Sequence, residues 1–199
     1  MINEPHAILT SGRHSDGYFN VSQAISYSNV CEYLGTFLKQ KFDEYINLAV
    51  VDAVISSSYA ALPIGMEFAR QLGGIFVFTE KEEREQVWTG RFELPDEAIL
   101  LQVEDLITTM GTVEKVQKAV KAVNPKVRFV RKNGKDVVMT VVHRPEVLTV
   151  YLDYQVVSLV EQEVHSWEPS ECPLCKKGSE ALKPKPNWAR FQASILAKK

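Results

Sequence analysis

The segment ILLQVEDLITTMGT, from Ile99 to Thr112, constrains the fold of this chain more than any other, because three patterns follow one another in it. A nearly continuous apolar run from Ile99 to Val103 predicts a strand that is buried on both faces of a parallel sheet. From Val113 onward, valines recur at helical spacing with lysines between them, which predicts an amphipathic helix. The segment therefore predicts a strand, a hydroxyl-rich turn and a helix.

Two adjacent acids, Glu104 and Asp105, stand where the apolar run ends. Ligands of open α/β sheets bind at the carboxyl ends of the strands, and the first amides of a helix favour an anion. Like charge and desolvation both oppose ionisation of such a pair. A ribose diol or a divalent cation carried by a pyrophosphate would balance the charge, whereas acids that simply face water need no ligand. The spacing alone leaves both interpretations open.

Strand and helix patterns alternate along the chain, which predicts an α/β fold with a mostly parallel central sheet flanked by helices. The other predicted strands are 50–56, 75–79, 127–130, 137–143 and 156–164. The other predicted helices are 30–42, with Leu34, Phe37 and Leu38 on one side, and 62–72, which Gly73 and Gly74 end. Asn133 and Gly134 mark a tight turn. We expect one domain, made of an N-terminal segment 1–29, a core 30–165 and an irregular, proline-containing tail 166–199.

Composition limits the partners and the cellular compartment that we expect for this protein. A chain of 199 residues, 45% of them apolar, can bury a core without disulfides or metals. A net charge of -2 indicates neither a nucleic-acid nor an anionic-membrane partner. No apolar run approaches the ~18 residues of a membrane span, and the N-terminus lacks signal-peptide features. Three cysteines fit a reducing compartment, so we expect a cytoplasmic protein with no membrane partner.

Several stretches resemble known families. VEDLITTMGT resembles the phosphoribosyl-pyrophosphate motif of type I phosphoribosyltransferases, and LTSGRHSDGYFN, residues 9–20, resembles the N-terminal signature of orotate phosphoribosyltransferases. ECPLCKKGSEALKPK resembles the tail of one bacterial and archaeal subgroup of that family. Shorter matches lie between them: ARQLGG, FTEKE, RFEL and VVHRPE. The resemblance implies a type I phosphoribosyltransferase-like fold with a short N-terminal hood segment.

The same resemblance implies a reaction and a ligand arrangement. Orotate and phosphoribosyl pyrophosphate would give orotidine 5′-monophosphate and pyrophosphate in pyrimidine biosynthesis, with Mg²⁺ carried by phosphoribosyl pyrophosphate and with a homodimer as the assembly. Glu104 and Asp105 would hold the ribose hydroxyls and stabilise the positive ribosyl centre. The implied 5′-phosphate site is Thr108, Thr109, Met110, Gly111 and Thr112.

Further site residues follow from the resemblance, each with a simpler interpretation beside it. Tyr18 and Phe19 would lie against the pyrimidine base, or they are core aromatics of a loop. Arg144 would pair with the orotate carboxylate, or it is a surface arginine. Lys81 and Arg84 match cations of a mobile loop that covers the substrate and meets the charge of the leaving pyrophosphate. Alternatively they are solvated cations, since four glutamates surround them.

Two loops depart from the family pattern. After Ile55, where the family has a glycine-rich pyrophosphate loop that often contains a lysine, this chain has the sequence SSSYAA. The expected pyrophosphate contacts are Ser57, Ser58 and Tyr59. At Ala60 and Ala61 a positive φ would cost about 1 kcal/mol more than at glycine. Met110 replaces a usual glycine, and it would strain the phosphate loop or block the 5′-phosphate. The alternative function is therefore a catalytically impaired homologue that binds nucleotides or regulates.

The tail and the charged stretch carry three other candidates. Cys172 and Cys175 have the spacing of half a zinc ribbon, but Cys31 and His165 do not form a second half. Two such pairs would complete a zinc site across a dimer, whereas a reduced structural turn needs no metal. Trp88 is expected to close over a ligand or to anchor an interface.

Overall fold

The structure is a computed structural model that describes residues 4–46, 50–146 and 150–196. Its strands are β1 His6–Ile8, β2 His14–Ser15, β3 Ala53–Ser56, β4 Ile75–Phe78, β5 Glu80–Glu82, β6 Glu85–Val87, β7 Ile99–Ile107, β8 Arg128–Phe129, β9 Arg131–Lys132, β10 Lys135–His143, β11 Tyr154–Glu161, β12 Ser166–Trp167 and β13 Ala181–Leu182. Its helices are α1 Val21–Ile25, α2 Ser28–Ile46, α3 Leu62–Leu72, α4 Gly111–Val123, α5 Pro173–Lys176 and α6 Trp188–Leu196, with a 3₁₀ turn at Lys185–Asn187.

The described residues form two compact units. The terminal unit consists of those within Met1–Phe19, Glu146–Leu148 and Glu163–Lys199. The core unit consists of those within Asn20–Pro145 and Thr149–Gln162. The single-domain organisation expected from the sequence stays a prediction.

A parallel sheet forms the centre of the core unit, in the strand order β11-β10-β7-β3-β4. All four pairings along this path are parallel, while β8 adds to β7 in parallel and β9 pairs with β10 antiparallel through the predicted turn at Asn133 and Gly134. Because the five strands run in one direction, their carboxyl ends share an edge. The predicted α/β class is confirmed.

Helix α3 has the bounds that the sequence predicts. Ile64 and Phe68 are completely buried, and Gly73 ends the helix with a φ of 69°. Gly65 lets α3 approach the sheet closely, because a Cβ there would lie 2.0 Å from the Ser56 hydroxyl oxygen. The first turn of α3 therefore lies directly on the end of β3.

Helix α2 and strand β3 differ from the predictions. The buried stripe of α2 is Cys31, Gly35, Leu38 and Phe42. Leu38 belongs to this stripe, whereas Phe37, which the sequence analysis placed on the same side as Leu38, is half exposed and lies off the stripe. Strand β3 begins at Ala53 instead of residue 50. The reason is that Asp52, which precedes the first paired residue Ala53, accepts a hydrogen bond from the Ile99 amide with its carboxylate (2.7 Å).

The charged stretch after β4 forms a short hairpin. Strands β5 and β6 pair antiparallel, and Glu83 in the turn has a φ of 52°. Trp88, at the end of the hairpin, is 9% exposed and packs in an apolar cluster with Leu100 and Phe129. The expectation that Trp88 covers a ligand or anchors an interface is wrong, because its ring is part of the core.

The terminal unit contains a small sheet in the order β12-β2-β1-β13. The tail was predicted to be irregular, but it supplies two of these strands and the helix α6. Its strands pair with β1 and β2 from the opposite end of the chain, and such distant pairing leaves no local periodicity to detect. Among the helices of the described residues, none combines the length and the apolarity that crossing a membrane requires.

Candidate active site

The carboxyl of Glu104 is buried near the end of β7, with 2% of the residue exposed. It accepts hydrogen bonds from the Gln102 side-chain amide (2.7 Å), the Ser57 hydroxyl (2.6 Å) and the Ser57 backbone amide (3.3 Å). Burial raises the pKa of Glu104 to about 7, although these hydrogen bonds oppose the rise. Glu104 therefore joins β7 to the loop after β3, and its charge changes near neutral pH.

Strand β7 continues through both acids to Ile107, whereas the sequence predicted that it would end before them. Pairing with β10 sustains the strand, with Glu104 opposite Thr140 and Ile107 opposite His143. Successive side chains in a strand point to opposite faces. Asp105, which is partly exposed, therefore faces away from Glu104, and the two acids have different surroundings.

In the serine loop after β3, the peptide bond between Ser58 and Tyr59 is cis, but neither alanine has a positive φ. Ala61 has a φ of −79° and is completely buried. In the part of the chain that the structure describes, positive φ outside glycine occurs at Glu83 and Asn133, so Ala60 does not adopt it either. The conformational cost expected for these alanines does not arise. Ser57 is buried, Ser58 is partly buried, and Tyr59 is 72% exposed.

In the turn after β7, the hydroxyl-bearing residues lie at the surface and the methionine is buried. Thr109, Gly111 and Thr112 are exposed, and Thr108 is partly exposed. Met110 is 6% exposed and packs in a cluster with Ile107, Val113 and Val138. Its φ is −77°. Neither expected effect of Met110 is found, because its backbone is helical and its side chain fills the core.

The hairpin carries the two candidate cations on its surface. Lys81 and Arg84 are exposed, and neither forms an ion pair within the described ranges. Nearby acids pair with other cations, namely Glu80 with Arg91 at 2.7 Å and Glu85 with Lys115 at 2.9 Å. Lys115 also donates a hydrogen bond to the Arg84 carbonyl (2.6 Å), which fixes the hairpin turn to α4.

Arg144 follows directly after β10, as the sequence predicted. Its backbone amide donates to the Ile107 carbonyl at 2.7 Å, so the residue lies beside the end of β7. The core unit thus brings Arg144, the serine loop, the acid pair and the threonine turn to one edge of the sheet.

The candidate base residues belong to the terminal unit. Tyr18 meets Trp188 edge to face, with ring centroids 6.2 Å apart. It also lines a cavity of about 420 Å³ whose walls include Ile8 and Pro184. Phe19 is partly buried.

Sequence reasoning missed the residue that supports Glu104 in the strand. Gln102 is completely buried and lies two residues before Glu104, on the same face of β7. The available signal was a polar residue inside an apolar run at that spacing.

Reasoning from the sequence also missed two histidines near the CxxC pair. In the terminal unit, one potential ligand atom from each of His6, His14, Cys172 and Cys175 lies within 4.8 Å of all the others. His165 is bonded elsewhere, with its Nδ1 3.2 Å from the Asp16 carboxylate. Burial and the neighbouring His14 lower the pKa of His6, which favours its neutral ring.

Comparison with known proteins identifies relatives along nearly the whole chain, although no family model matches it. An orotate phosphoribosyltransferase of Caldanaerobacter subterraneus subsp. tengcongensis is 32% identical over 188 residues, which cover 92% of this chain and 90% of that protein. An orotate phosphoribosyltransferase of Chlorobaculum parvum is 34% identical over 178 residues, covering 87% and 83%.

Solved structures share the fold at lower sequence identity. The orotate phosphoribosyltransferase from Aeropyrum pernix aligns with a TM-score of 0.59 and 16% identity, over 79% of this chain and 86% of that chain. The adenine phosphoribosyltransferase from Thermoanaerobacter pseudethanolicus aligns with a TM-score of 0.51 and 16% identity, over 70% and 84%. At these identities the likeness establishes the fold alone.

Proposed function

Because this chain belongs to the orotate phosphoribosyltransferase family, we propose that it transfers the phosphoribosyl group of phosphoribosyl pyrophosphate to orotate. The products are orotidine 5′-monophosphate and pyrophosphate. The observation that carries the proposal is the common sheet edge at which the acid pair Glu104 and Asp105, the threonine turn and the serine loop lie together.

Glu104 and Asp105 have different roles in binding the ribose. A carboxylate offers about four acceptor positions, and Glu104 already uses three of them on Gln102 and Ser57. Glu104 therefore acts chiefly by holding the serine loop, with about one position left for a ribose hydroxyl. Asp105, which is partly exposed, is the better partner for the ribose hydroxyls and for the positive charge that develops on the sugar.

The anionic groups of the substrate meet the surrounding loops. The exposed hydroxyls of Thr109 and Thr112, together with the first amides of α4, bind the 5′-phosphate. Ser57, Ser58 and Tyr59 contact the pyrophosphate, and Lys81 and Arg84 offset its charge as it leaves. Mg²⁺ enters as a complex with phosphoribosyl pyrophosphate, and the Asp105 carboxylate is the hard oxygen donor that suits it.

For the base we propose the roles that the family resemblance implies, namely Tyr18 and Phe19 as contacts of the ring and Arg144 as the partner of the orotate carboxylate. The chain needs no covalent nucleophile, because positioning the reactants and balancing their charge lower the barrier. We propose a cytoplasmic homodimer, for which the exposed Tyr33 and Phe37 of α2 offer apolar area.

A turnover assay with orotate and magnesium phosphoribosyl pyrophosphate tests the reaction, and the release of pyrophosphate is the quantity measured. Asp105→Ala should lower the rate by at least about tenfold, the loss expected when one charge-stabilising group is removed. Lys81→Ala should lower it while leaving stability unchanged, since the side chain is exposed and forms no ion pair within the described residues. Lys118→Ala, which removes an exposed lysine from the middle of α4, is the matched control and should retain full activity.

A nucleotide-binding regulator is the second candidate, because the SSSYAA loop lacks the lysine of the family pattern. Calorimetric titration with orotidine 5′-monophosphate, run beside the turnover assay, separates the two. Tight binding of the nucleotide without pyrophosphate release would refute the enzyme. Turnover well above that of Asp105→Ala would refute the regulator.

A further inference from the structure

Two histidines and two cysteines converge inside the terminal unit. In the β1–β2 hairpin, Ile8 pairs with His14, and His6 lies two residues before Ile8 on the same strand face. Cys172 directly precedes the short helix α5, and Cys175 lies within it. Both ends of the chain thus contribute to one cluster.

The distances within the cluster are those of ligands around one metal ion. Tetrahedral zinc, with bonds of about 2.3 Å to sulfur and about 2.0 Å to nitrogen, separates two nitrogens by about 3.3 Å and a sulfur from a nitrogen by about 3.5 Å. His6 Nε2 and His14 Nδ1 are 3.1 Å apart. The Cys175 sulfur lies 3.4 Å from His6 Nε2 and 3.3 Å from His14 Nδ1, and the Cys172 sulfur lies 3.5 Å from His6 Nε2.

Hydrogen bonds among these side chains do not explain why the four groups lie so close together. The Ser179 hydroxyl donates its one proton to the Glu4 carbonyl, so it must accept from Nδ1–H of His6 at 2.9 Å. His6 Nε2 then carries a single lone pair. His14 Nδ1 and both sulfurs approach that one lone pair, which cannot serve three donors equally well. A cation at the centre satisfies all four groups, and the Ser179 contact is the outer hydrogen bond that commonly orients a ligating histidine.

The terminal unit has little else to hold it together. Its strands are two or three residues long. Among its described residues, the buried side chains are His6, Ala7, His14, Ser15, Val164, Cys172 and Pro184. Three of these seven belong to the cluster, and the apolar ones are small. A unit with so little buried apolar area needs a disulfide or a metal.

We propose that His6, His14, Cys172 and Cys175 bind one Zn²⁺ ion as a closed structural site within a single chain. Two thiolates with two imidazoles suit zinc, and four protein ligands leave no open position for chemistry. The ion links the N-terminal hairpin to the tail, and its binding stabilises the terminal unit. None of these four ligands has a role in the transfer reaction proposed above.

The test measures metal in the untagged full-length chain, purified under reducing conditions without chelator. Elemental analysis should find about one zinc per chain. Replacement by Co²⁺ should give the visible bands of a tetrahedral ion and a near-ultraviolet thiolate-to-cobalt band. Cys175→Ser is the main variant, because this cysteine is exposed and its replacement disturbs packing least. His14→Asn removes a nitrogen ligand.

Both variants should lose at least about nine-tenths of the zinc, while Cys31→Ser and His165→Asn keep it, since neither residue belongs to the cluster. If the variants fail to fold, the cobalt spectrum of the unmodified chain still shows whether thiolates bind the metal. Absence of stoichiometric zinc together with a cobalt spectrum lacking the thiolate band would overturn the proposal. Half a zinc per chain would overturn the single-chain site in favour of one shared across a dimer, and a Cys172–Cys175 disulfide that persists under reduction would overturn it as well.

Discussion

Replacing Glu104 with glutamine should change how stability depends on pH. The pKa of Glu104 is raised from 4.5 to about 7 in the folded protein, mainly by burial. Between these values the folded chain keeps a proton that the unfolded chain has released. Stability of the unmodified protein therefore falls as pH rises through this window. The difference of about 2.5 pH units, at about 1.36 kcal/mol each, gives a loss of about 3 kcal/mol above pH 7.

Glutamine keeps the shape of the side chain and removes the charge. Its amide oxygen can replace Glu104 Oε1 and accept from the Gln102 side-chain amide and the Ser57 backbone amide, while its NH2 group can donate to the Ser57 hydroxyl oxygen. The network then remains largely satisfied. Glu104→Gln should therefore be more stable than the unmodified protein at pH 8, by an amount approaching about 3 kcal/mol, and similar to it near pH 4.5.

Urea unfolding without nucleotide, repeated from pH 4.5 to pH 8, measures the effect. Glu82→Gln makes the same substitution at an exposed acid of the hairpin, and it should follow the unmodified protein at every pH. Equal pH slopes for Glu104→Gln and the unmodified protein would refute the reasoning. The reasoning would also be refuted if the unmodified protein became more stable relative to Glu104→Gln as the pH rises across this window.

Two further substitutions test the packing around the site. Met110→Ala should lower the free energy of unfolding by about 2–4 kcal/mol, because it empties part of a buried cluster; a loss below about 1 kcal/mol in urea unfolding would mean that the side chain lies outside the core. Gly65→Ala should lower it by about 1–3 kcal/mol, since the added Cβ would lie 2.0 Å from the Ser56 hydroxyl oxygen. Gly111→Ala, whose Cβ would have only Thr109 Oγ1 at 3.8 Å, is the control in thermal unfolding, and an equal loss there would contradict the steric argument.

The sequence predicted those parts of the fold that local patterns encode. Helix α3 matches because its apolar positions recur at helical spacing and Gly73 provides a left-handed end. The position of β7 matches for a similar reason, but its length depends on pairing with β10, which no local pattern reveals. The β5–β6 hairpin was missed because its residues are mostly charged and its cross-strand bonds are backbone contacts.

The network around Glu104 lay beyond sequence reasoning because its members are far apart in the chain. Ser57 and Glu104 are separated by 47 positions, and His6 and Cys172 by 166. From residue type, the sequence reasoning considered Cys31 and His165 beside the cysteines and overlooked His6 and His14. Only the pairing of β1 with β2 and β13 shows that the histidines of the N-terminal hairpin lie near the CxxC pair.

The two departures from the family pattern share one structural explanation. Ala61 and Met110 each stand at the N-cap of a helix that follows a central strand, α3 after β3 and α4 after β7. Both have helical φ and ψ angles, so neither position needs glycine, and neither side chain caps the amides of its helix. An N-cap serine or aspartate would occupy one of those amides with its own oxygen. Alanine and methionine leave them for an anion, at the same sheet edge where the substrate's 5′-phosphate and pyrophosphate are proposed to bind. Losing a glycine therefore does not by itself remove anion binding, and the missing lysine is the departure that the turnover assay examines.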